Sequence, residues 1–525
     1  MAAAPPGSRP LPPVLGRLFS GTLWLTLKIP LQAIFAFWSV PLILHAVPEL
    51  NGAYYFAWGF GFLQFLLEFG MSSALQRQVS DHWTRGDRQG VDRSIACGMT
   101  FYAAMAVVQV AALLGIAYLA LPHTDYHGKA YSLIVKLLWL QAITAPCYGL
   151  STVVSSVLQA ARRYDFIPRF EVAVIILRFL VLVGGLAAGV DFFVIVVTQT
   201  VVQIGLSLGP ALWVMVYELG YRPHFGGAQL ADFFSLTQIS LYVFLIQLSV
   251  VLADKIDTAI LNFVLPNPGQ VTTIYTNVSK PFFQLRQTGW MLSYLVMPAV
   301  ASLVAARDER GLERVKYDGP RFLIGLLLPA TILAWIYAGP FLILWVGPEY
   351  GAYAHLLRLF LVATLPLVIA VQVQMAIGMG KIKVIAIAAL IGAVVNLGIS
   401  YWLTLMLRDV SGVIWGTVLT TLISNLLIPG IYVFRVLKIR VATFLSRTLS
   451  APLCGTLALI AATWALRTLI TPEPRGSSAL MRTGPLLAHL SIGCLAYLAG
   501  YLAAPEGRAD LFALAQRFGR RQVSE

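Results

Sequence analysis

The sequence predicts an all-α integral membrane protein of about fourteen transmembrane helices. Two six-helix lobes are expected, related by a pseudo-twofold along the membrane normal and followed by two extra C-terminal helices. Three observations predict this fold. Hydrophobic residues occupy 58% of the 525 positions and charged residues only 11%, with a mean hydropathy of +0.78, a balance far outside the soluble globular range. Apolar windows of about 20 residues, enough to cross about 30 Å of hydrocarbon, recur along almost the whole chain. Two stretches about 220 residues apart also read alike, which is the mark of an internal repeat.

In order, the windows centre near Ile34, Leu63, Val107, Ala145, Leu180, Val202, Val250, Leu292, Ala334, Ala370, Val394, Leu422, Ile460 and Ala496. The first runs from about Leu23 to Val47. It is too long for a signal-peptide core and lacks a clean small-residue cleavage site, so it is expected to be a retained helix behind a cytoplasmic tail, residues 1–17. The first lobe then covers 18–217, an inter-lobe linker 218–235, and the second lobe 236–434.

The repeat supports these limits. LLWLQAITAPCYGL, from Leu137, and LLRLFLVATLPLVI, from Leu356, would be the fourth and tenth helices; they place Pro146 and Pro366 in mid-membrane. The loops VPELNGAYY and LPNPGQVTTIY, after the first and seventh helices, both turn on Pro and Gly and re-enter through Tyr. Six helices per half give both halves one orientation, hence the axis along the membrane normal. A basic link and helices 13 and 14 follow over 435–504. The basic cytoplasmic tail, 505–525, contains LFALAQRF, a short amphipathic stretch expected to rest on the anionic inner surface.

Of the 37 Lys and Arg residues, about 25 fall on one side of the membrane and about five on the other, so both termini are expected in the cytoplasm. This asymmetry explains the net charge of +14 without nucleic acid. Cys97, Cys147, Cys454 and Cys494 show no spacing for zinc or a disulfide framework. No Gly-rich phosphate loop is present, which argues against ATP hydrolysis, and no cofactor or metal is expected.

Lys28, Lys280 and Arg286 lie inside segments otherwise apolar enough to span a bilayer. A cation in hydrocarbon is costly and is normally kept to bind something negative. Lys28 lies about 10 residues into its helix, near the midplane at 1.5 Å per residue, and no residue of that helix can neutralise it. It reads as a ligand for diphosphate, as one half of a salt bridge to an acid elsewhere, or as a side chain that snorkels toward the cytoplasm. Lys280 and Arg286 flank Pro281 on the eighth helix, where a point charge and a bidentate guanidinium could hold two phosphoryl groups at different heights.

Glu171 and Arg178 share a face of the fifth helix at i and i+7. A structural ion pair is expected there, with Arg178 also a candidate for the cationic cavity and Glu171 for ion coupling. Asp254 and Asp257 share a face of the seventh helix near Lys255; they could bind an exchanged proton or Na⁺, or form a static charge cluster. Glu68 ends the second helix, where it could cap a cavity floor. Lys136 and Arg358 are read as interfacial anchors.

Several motifs carry a family resemblance. VVLADKIDTAILNFVL followed by IYTNVSKP resembles the polysaccharide transporter pattern of a helix ending in Asp plus aliphatics, a turn and then Tyr. EFGMSSALQRQVS, LWVGPEYGAYAHLLRLF and VSGVIWGTVLTTLISNLL extend the match in order, up to about Phe434. The family is that of O-antigen and other lipid-linked oligosaccharide flippases, in the multidrug/oligosaccharidyl-lipid/polysaccharide exporter superfamily. The resemblance implies a V-shaped pair of lobes around a cationic cavity, lined by cations of the first and eighth helices. It also implies export of an undecaprenyl diphosphate-linked saccharide by alternating access. A proton or Na⁺ gradient or the membrane potential would drive it, alongside polysaccharide polymerase and assembly proteins.

Two alternatives stay open. A multidrug exporter of the MATE type would need acids and aromatics for cationic drugs, and Lys28 argues against it. A membrane glycosyltransferase, polymerase or ligase would present a sizeable catalytic outer loop, whereas the longest outer loops here, near Pro122 to Ala130 and Pro472 to Pro485, are short. The chain is therefore read as a transporter and not an enzyme. TRGDRQG superficially matches the basic loop of major facilitators, but the helix count and the repeat argue against that fold.

Overall fold

A computed structural model describes residues 13–161, 163, 166–226, 244–245, 248–249, 251–252, 256–294, 296, 300, 303–304, 306–472 and 479–512. Asp254 and Lys255 lie outside the described residues. Every regular element among those described is helical, as lipid requires of a chain whose backbone groups must find partners within their own segment. Ten of these helices are long and apolar enough to cross a membrane, and Pro30–Ala46 is a shorter apolar helix. The chain divides into two compact units, Met1–Thr273 and Ile274–Glu525.

In the first unit, α1 (Pro13–Ala46) begins earlier than expected and continues through Pro30 and Pro41. Only Val47 separates it from α2 (Pro48–Gly59), which starts on a proline whose missing N–H costs nothing at that position. The second expected span is not one helix. It breaks after Gly59 and resumes as α3 (Phe62–Leu67), and a turn at Glu68 to Gly70 with positive φ at Phe69 and Gly70 leads into α4 (Met71–Thr84). Glycines on both sides of Phe60 deprive the helix of side-chain support there, which is the physical reason for the break.

α5 (Arg88–Gly115) is capped by Asp87, whose Oδ1 accepts the Gly90 N–H at 2.9 Å. α6 (Gly128–Ala160) runs through Pro146 unbroken. α7 (Phe166–Ala187) and α8 (Phe192–Trp213) complete the described bundle, α8 being capped by the Asp191 carboxylate. α6 packs on α2, α4, α5 and α8, and α7 on α1 and α8. Two buried clusters form the core, one around Leu137 and Phe192 and one around Val157 and Met215.

The division between units falls within α9 (Pro268–Tyr294), which continues through Pro281. In the second unit, α10 (Glu309–Ile336) starts on an Asp308 cap. The basic residues from Arg310 to Arg321 therefore lie along the first half of this helix. Arg321 is only 5% exposed. Its guanidinium donates to both oxygens of Asp510, at 2.8 and 2.5 Å, while Arg447 pairs with Asp318. The helix over 505–512 is thereby fastened to the foot of α10, with Leu511 and Phe512 left exposed.

The tenth expected span, unlike the fourth, is segmented. After α11 (Ala338–Trp345) come α12 (Ala354–Val362), a 3-10 turn at Leu365–Ile369 and α13 (Ala370–Gly378). The Thr364 hydroxyl and N–H both donate to the Leu361 carbonyl, ending the helix just before Pro366, which disfavours α geometry at Leu365. Thr144 holds the corresponding place before Pro146 and its hydroxyl also bonds back, to the Leu140 and Gln141 carbonyls, yet that helix runs on. α14 (Lys383–Leu407) and α15 (Ser411–Thr421) form a close hairpin in which Gly412 and Gly416 lie on the backbone of Thr404 and Ser400. α16 (Ile428–Val436) and α17 (Val441–Phe444) lead to the last pair, α18 (Ser450–Leu469) and α19 (Ala479–Ala503), which pack on each other and on α10.

Candidate functional site

α7 carries the charge that organises the first unit. Glu171 stands on its second turn and Arg178 two turns further on the same face. Packing of α1 against α7, sealed by the stacked rings of Phe35 and Phe179 at 4.5 Å, brings in Lys28. Its Nζ donates to Glu171 Oε2 at 2.8 Å, with side chains 22% and 35% exposed. The expected Glu171 to Arg178 pair is not formed. Seven residues rise about 10.5 Å along a helix, and a cation from the neighbouring helix reaches the carboxylate first.

Arg178 is left without a counterion among the described residues. Its Nε is buried with no hydrogen-bond partner, and its guanidinium makes no ion pair among the described residues. Its backbone carbonyl accepts from Gln199 Nε2 at 2.8 Å, which fixes α7 on α8. The phenols of Tyr54 and Tyr148 lie within electrostatic range of it.

Glu171 also lines a cavity of about 210 Å³ between α6, α7 and α8. Its wall combines Ser151, Ser155, Gln203 and Ser207 with the aromatic rings of Tyr148, Phe166 and Phe170. These polar residues do not stand out from hydropathy or charge. A signal was present: Ser151 and Ser155 on one helix, and Gln203 and Ser207 on another, are each spaced i and i+4, so each pair forms a polar stripe on one face.

The other acids are placed separately. Glu68 sits at the turn after α3, where Tyr102 donates to its Oε1 at 3.3 Å. Asp257 is fully buried. Near it in sequence, the Asn262 amide donates to Thr272 and its carbonyl accepts from Tyr126, at 2.7 and 2.8 Å. In the second unit, Lys280 and Arg286 are half-buried on α9, and the Arg286 guanidinium lies over the rings of Phe282 and Phe283 at 5.4 and 5.0 Å. Lys136 and Arg358 each lie over an aromatic ring, Phe193 and Trp335. Among the described residues no group of three or more His, Cys, Asp or Glu could hold a metal ion.

No family model and no curated protein sequence matches the chain. Solved structures do match. The lipid II flippase MurJ in its inward closed conformation aligns with a TM-score of 0.67 at 13% identity, over 92% of this chain and 98% of that one. An inward-facing multidrug resistance MATE transporter aligns with a TM-score of 0.61 at 13% identity, over 78% and 96% of the two chains. A MATE protein in complex with MaL6 aligns with a TM-score of 0.59 at 12% identity, over 80% and 97%. At these identities the likeness concerns architecture: the chain is a multi-pass helical membrane protein with the fold shared by the MurJ flippase and the MATE transporters.

Proposed function

We propose that the protein is a flippase that moves an undecaprenyl diphosphate-linked oligosaccharide, the repeat unit of O-antigen or another surface polysaccharide, across the bacterial inner membrane by alternating access. The observation that carries this reading is Arg178: a guanidinium in the middle of an apolar span with no acid paired to it among the described residues. Such a group is costly unless its role is to receive an anion, and a guanidinium grips phosphate oxygens bidentately. Likeness in fold to a lipid II flippase supports a lipid-linked cargo. Lys28, Lys280 and Arg286 are the further phosphate ligands of this reading.

The polyprenyl tail loses nothing by staying in lipid, whereas the diphosphate and sugars need a wet, cationic path. With both termini cytoplasmic, outward movement of the anion follows a potential negative inside, about 2.3 kcal/mol per charge per 100 mV. The six-helix lobes 18–217 and 236–434 would be the moving bodies. Asp254, Asp257, Glu68 and Glu171 are the candidates for a coupled proton or Na⁺, and polymerase or assembly proteins the candidates for partners.

A second reading, a MATE-like exporter of cationic drugs, is favoured by the fold likeness to MATE transporters and by the buried Asp257. The test is transfer of a lipid diphosphate-linked saccharide in inverted vesicles, comparing the native chain with Arg178→Leu, Lys28→Ala and Arg286→Ala at matched expression. Loss of transfer in Arg178→Leu with normal protein level is expected. Unchanged transfer in all three variants overturns the site. A native chain that extrudes cationic dyes and moves no saccharide establishes the second reading.

A further inference from the structure

Hydroxyls inside transmembrane helices normally bond back to the carbonyl one turn earlier, and the neighbours of the cavity do so: Thr144 to Leu140, Thr152 to Tyr148, Ser156 to Thr152, Thr198 to Val194 and Thr200 to Val196. Ser151, Ser155 and Ser207, which line the cavity, do not. With the Gln203 amide they make no side-chain hydrogen bond among the described residues. Half-buried polar groups that forgo local partners take their hydrogen bonds from whatever fills the cavity, water or a ligand. Four convergent groups of this kind, on two helices, make a built site.

The charge of the cavity selects the ligand. Among the described lining residues the charged group is Glu171, and it already holds the Lys28 ammonium at 2.8 Å, so the lining itself offers neither a free carboxylate to a cation nor a cation to an anion. An apolar ligand would strand the serines and the amide. A neutral, hydroxyl-rich ligand suits them, and the rings of Tyr148, Phe166 and Phe170 offer flat apolar faces to the C–H side of a ring. The volume equals that of roughly seven water molecules at about 30 Å³ each, commensurate with one sugar ring.

We propose that the cavity between α6, α7 and α8 is a subsite for a single neutral sugar ring, hydrogen-bonded by Ser151, Ser155, Gln203 and Ser207. It rests on the flippase reading, in which the ring belongs to the headgroup of the lipid-linked cargo. Seating a ring there beside the Lys28 to Glu171 pair would let the protein select cargo by its saccharide, separately from its phosphates.

Cys147 lines the same cavity and reports on it, whereas Cys97 is fully buried. In the full-length Cys454→Ser/Cys494→Ser chain in nanodiscs, the rate at which a small methanethiosulfonate modifies Cys147 is measured with neutral methyl glycosides, covering hexosides and N-acetylhexosaminides, up to about 100 mM. Cys147→Ser gives the background. Expected is saturable slowing of about tenfold by at least one glycoside and none by tetraphenylphosphonium, with protection lost in Ser155→Val and in Gln203→Leu. The proposal is overturned if no glycoside protects, if tetraphenylphosphonium protects as well, or if protection survives both substitutions in folded protein. Binding of a sugar-free polyprenyl diphosphate, measured in parallel, separates the two failures: retained phosphate binding without sugar protection sinks the subsite alone, and loss of phosphate binding sinks the flippase reading.

Discussion

The Lys28 ammonium lies 2.8 Å from the Glu171 carboxylate, tying α1 to α7 inside the membrane. Either group alone would be an uncompensated charge in a low-dielectric setting. Lys28→Ala and Glu171→Ala are each expected to cost about 1–2 kcal/mol, and the double variant less than the sum, with a coupling of about 1 kcal/mol. Thermal unfolding of the four proteins in detergent measures this cycle. Strict additivity would mean that the contact carries no energy.

Arg178 should behave oppositely. Because it is held in an apolar span without an ion-pair partner among the described residues, Arg178→Leu is expected to raise stability by about 1 kcal/mol while reducing cargo transfer at least tenfold. Melting temperature and vesicle transfer, measured on one preparation, test the trade-off. A variant that is both less stable and still active would show that Arg178 is structural.

A close backbone contact distinguishes two glycines. A Cβ on Gly52 would run into the Gly269 carbonyl, whereas a Cβ on Gly269 would meet only the Tyr126 ring edge, at 3.5 Å. Gly52→Ala is expected to destabilise by about 2–3 kcal/mol and Gly269→Ala by well under 1 kcal/mol. Yield of monodisperse protein and unfolding temperature report the difference.

Asp510 neutralises a nearly buried guanidinium. Asp510→Ala leaves Arg321 without its bidentate partner and should cost about 2–3 kcal/mol, whereas Arg321→Met/Asp510→Leu should recover most of the loss. Limited trypsin digestion of the C-terminal segment, faster in the single variant than in the double, is the readout.

On the surface, the Gly90 N–H and the His82 ring hold the Asp87 carboxyl below the usual carboxylate range. A group with a lowered folded pKa stabilises fully above its unfolded value and loses that contribution as pH falls through the folded one. Between the ordinary carboxylate range and that lower value, the native chain should lose stability on acidification more steeply than Asp87→Ala. Melting curves from neutral to acid pH compare the two slopes.

Much of this was readable along the chain. The helical positions of α5 to α8, α14, α15, α18 and α19 follow from uninterrupted apolar windows, and Glu171 and Arg178 stand out as charges within such a window. Breaks were harder to read. Nothing in hydropathy separates α2 from α3, because glycines and aromatics keep the window apolar while removing helical support. Pro146 and Pro366 look equivalent in sequence, each two residues after a threonine whose hydroxyl bonds back one turn, yet only the second stands at a break in its helix.

By itself the sequence determined that this chain is an all-helical membrane protein with cations inside its spans, since composition and window length depend on transfer of side chains into hydrocarbon and need no partner. Tertiary structure alone decided how those charges are used. Which cation reaches Glu171 depends on packing between helices more than a hundred residues apart, so Lys28 is paired and Arg178, among the described residues, is not. The same packing turned two unremarked i, i+4 pairs of polar residues toward one cavity, because a helix face acquires chemistry only from what its neighbour places opposite it.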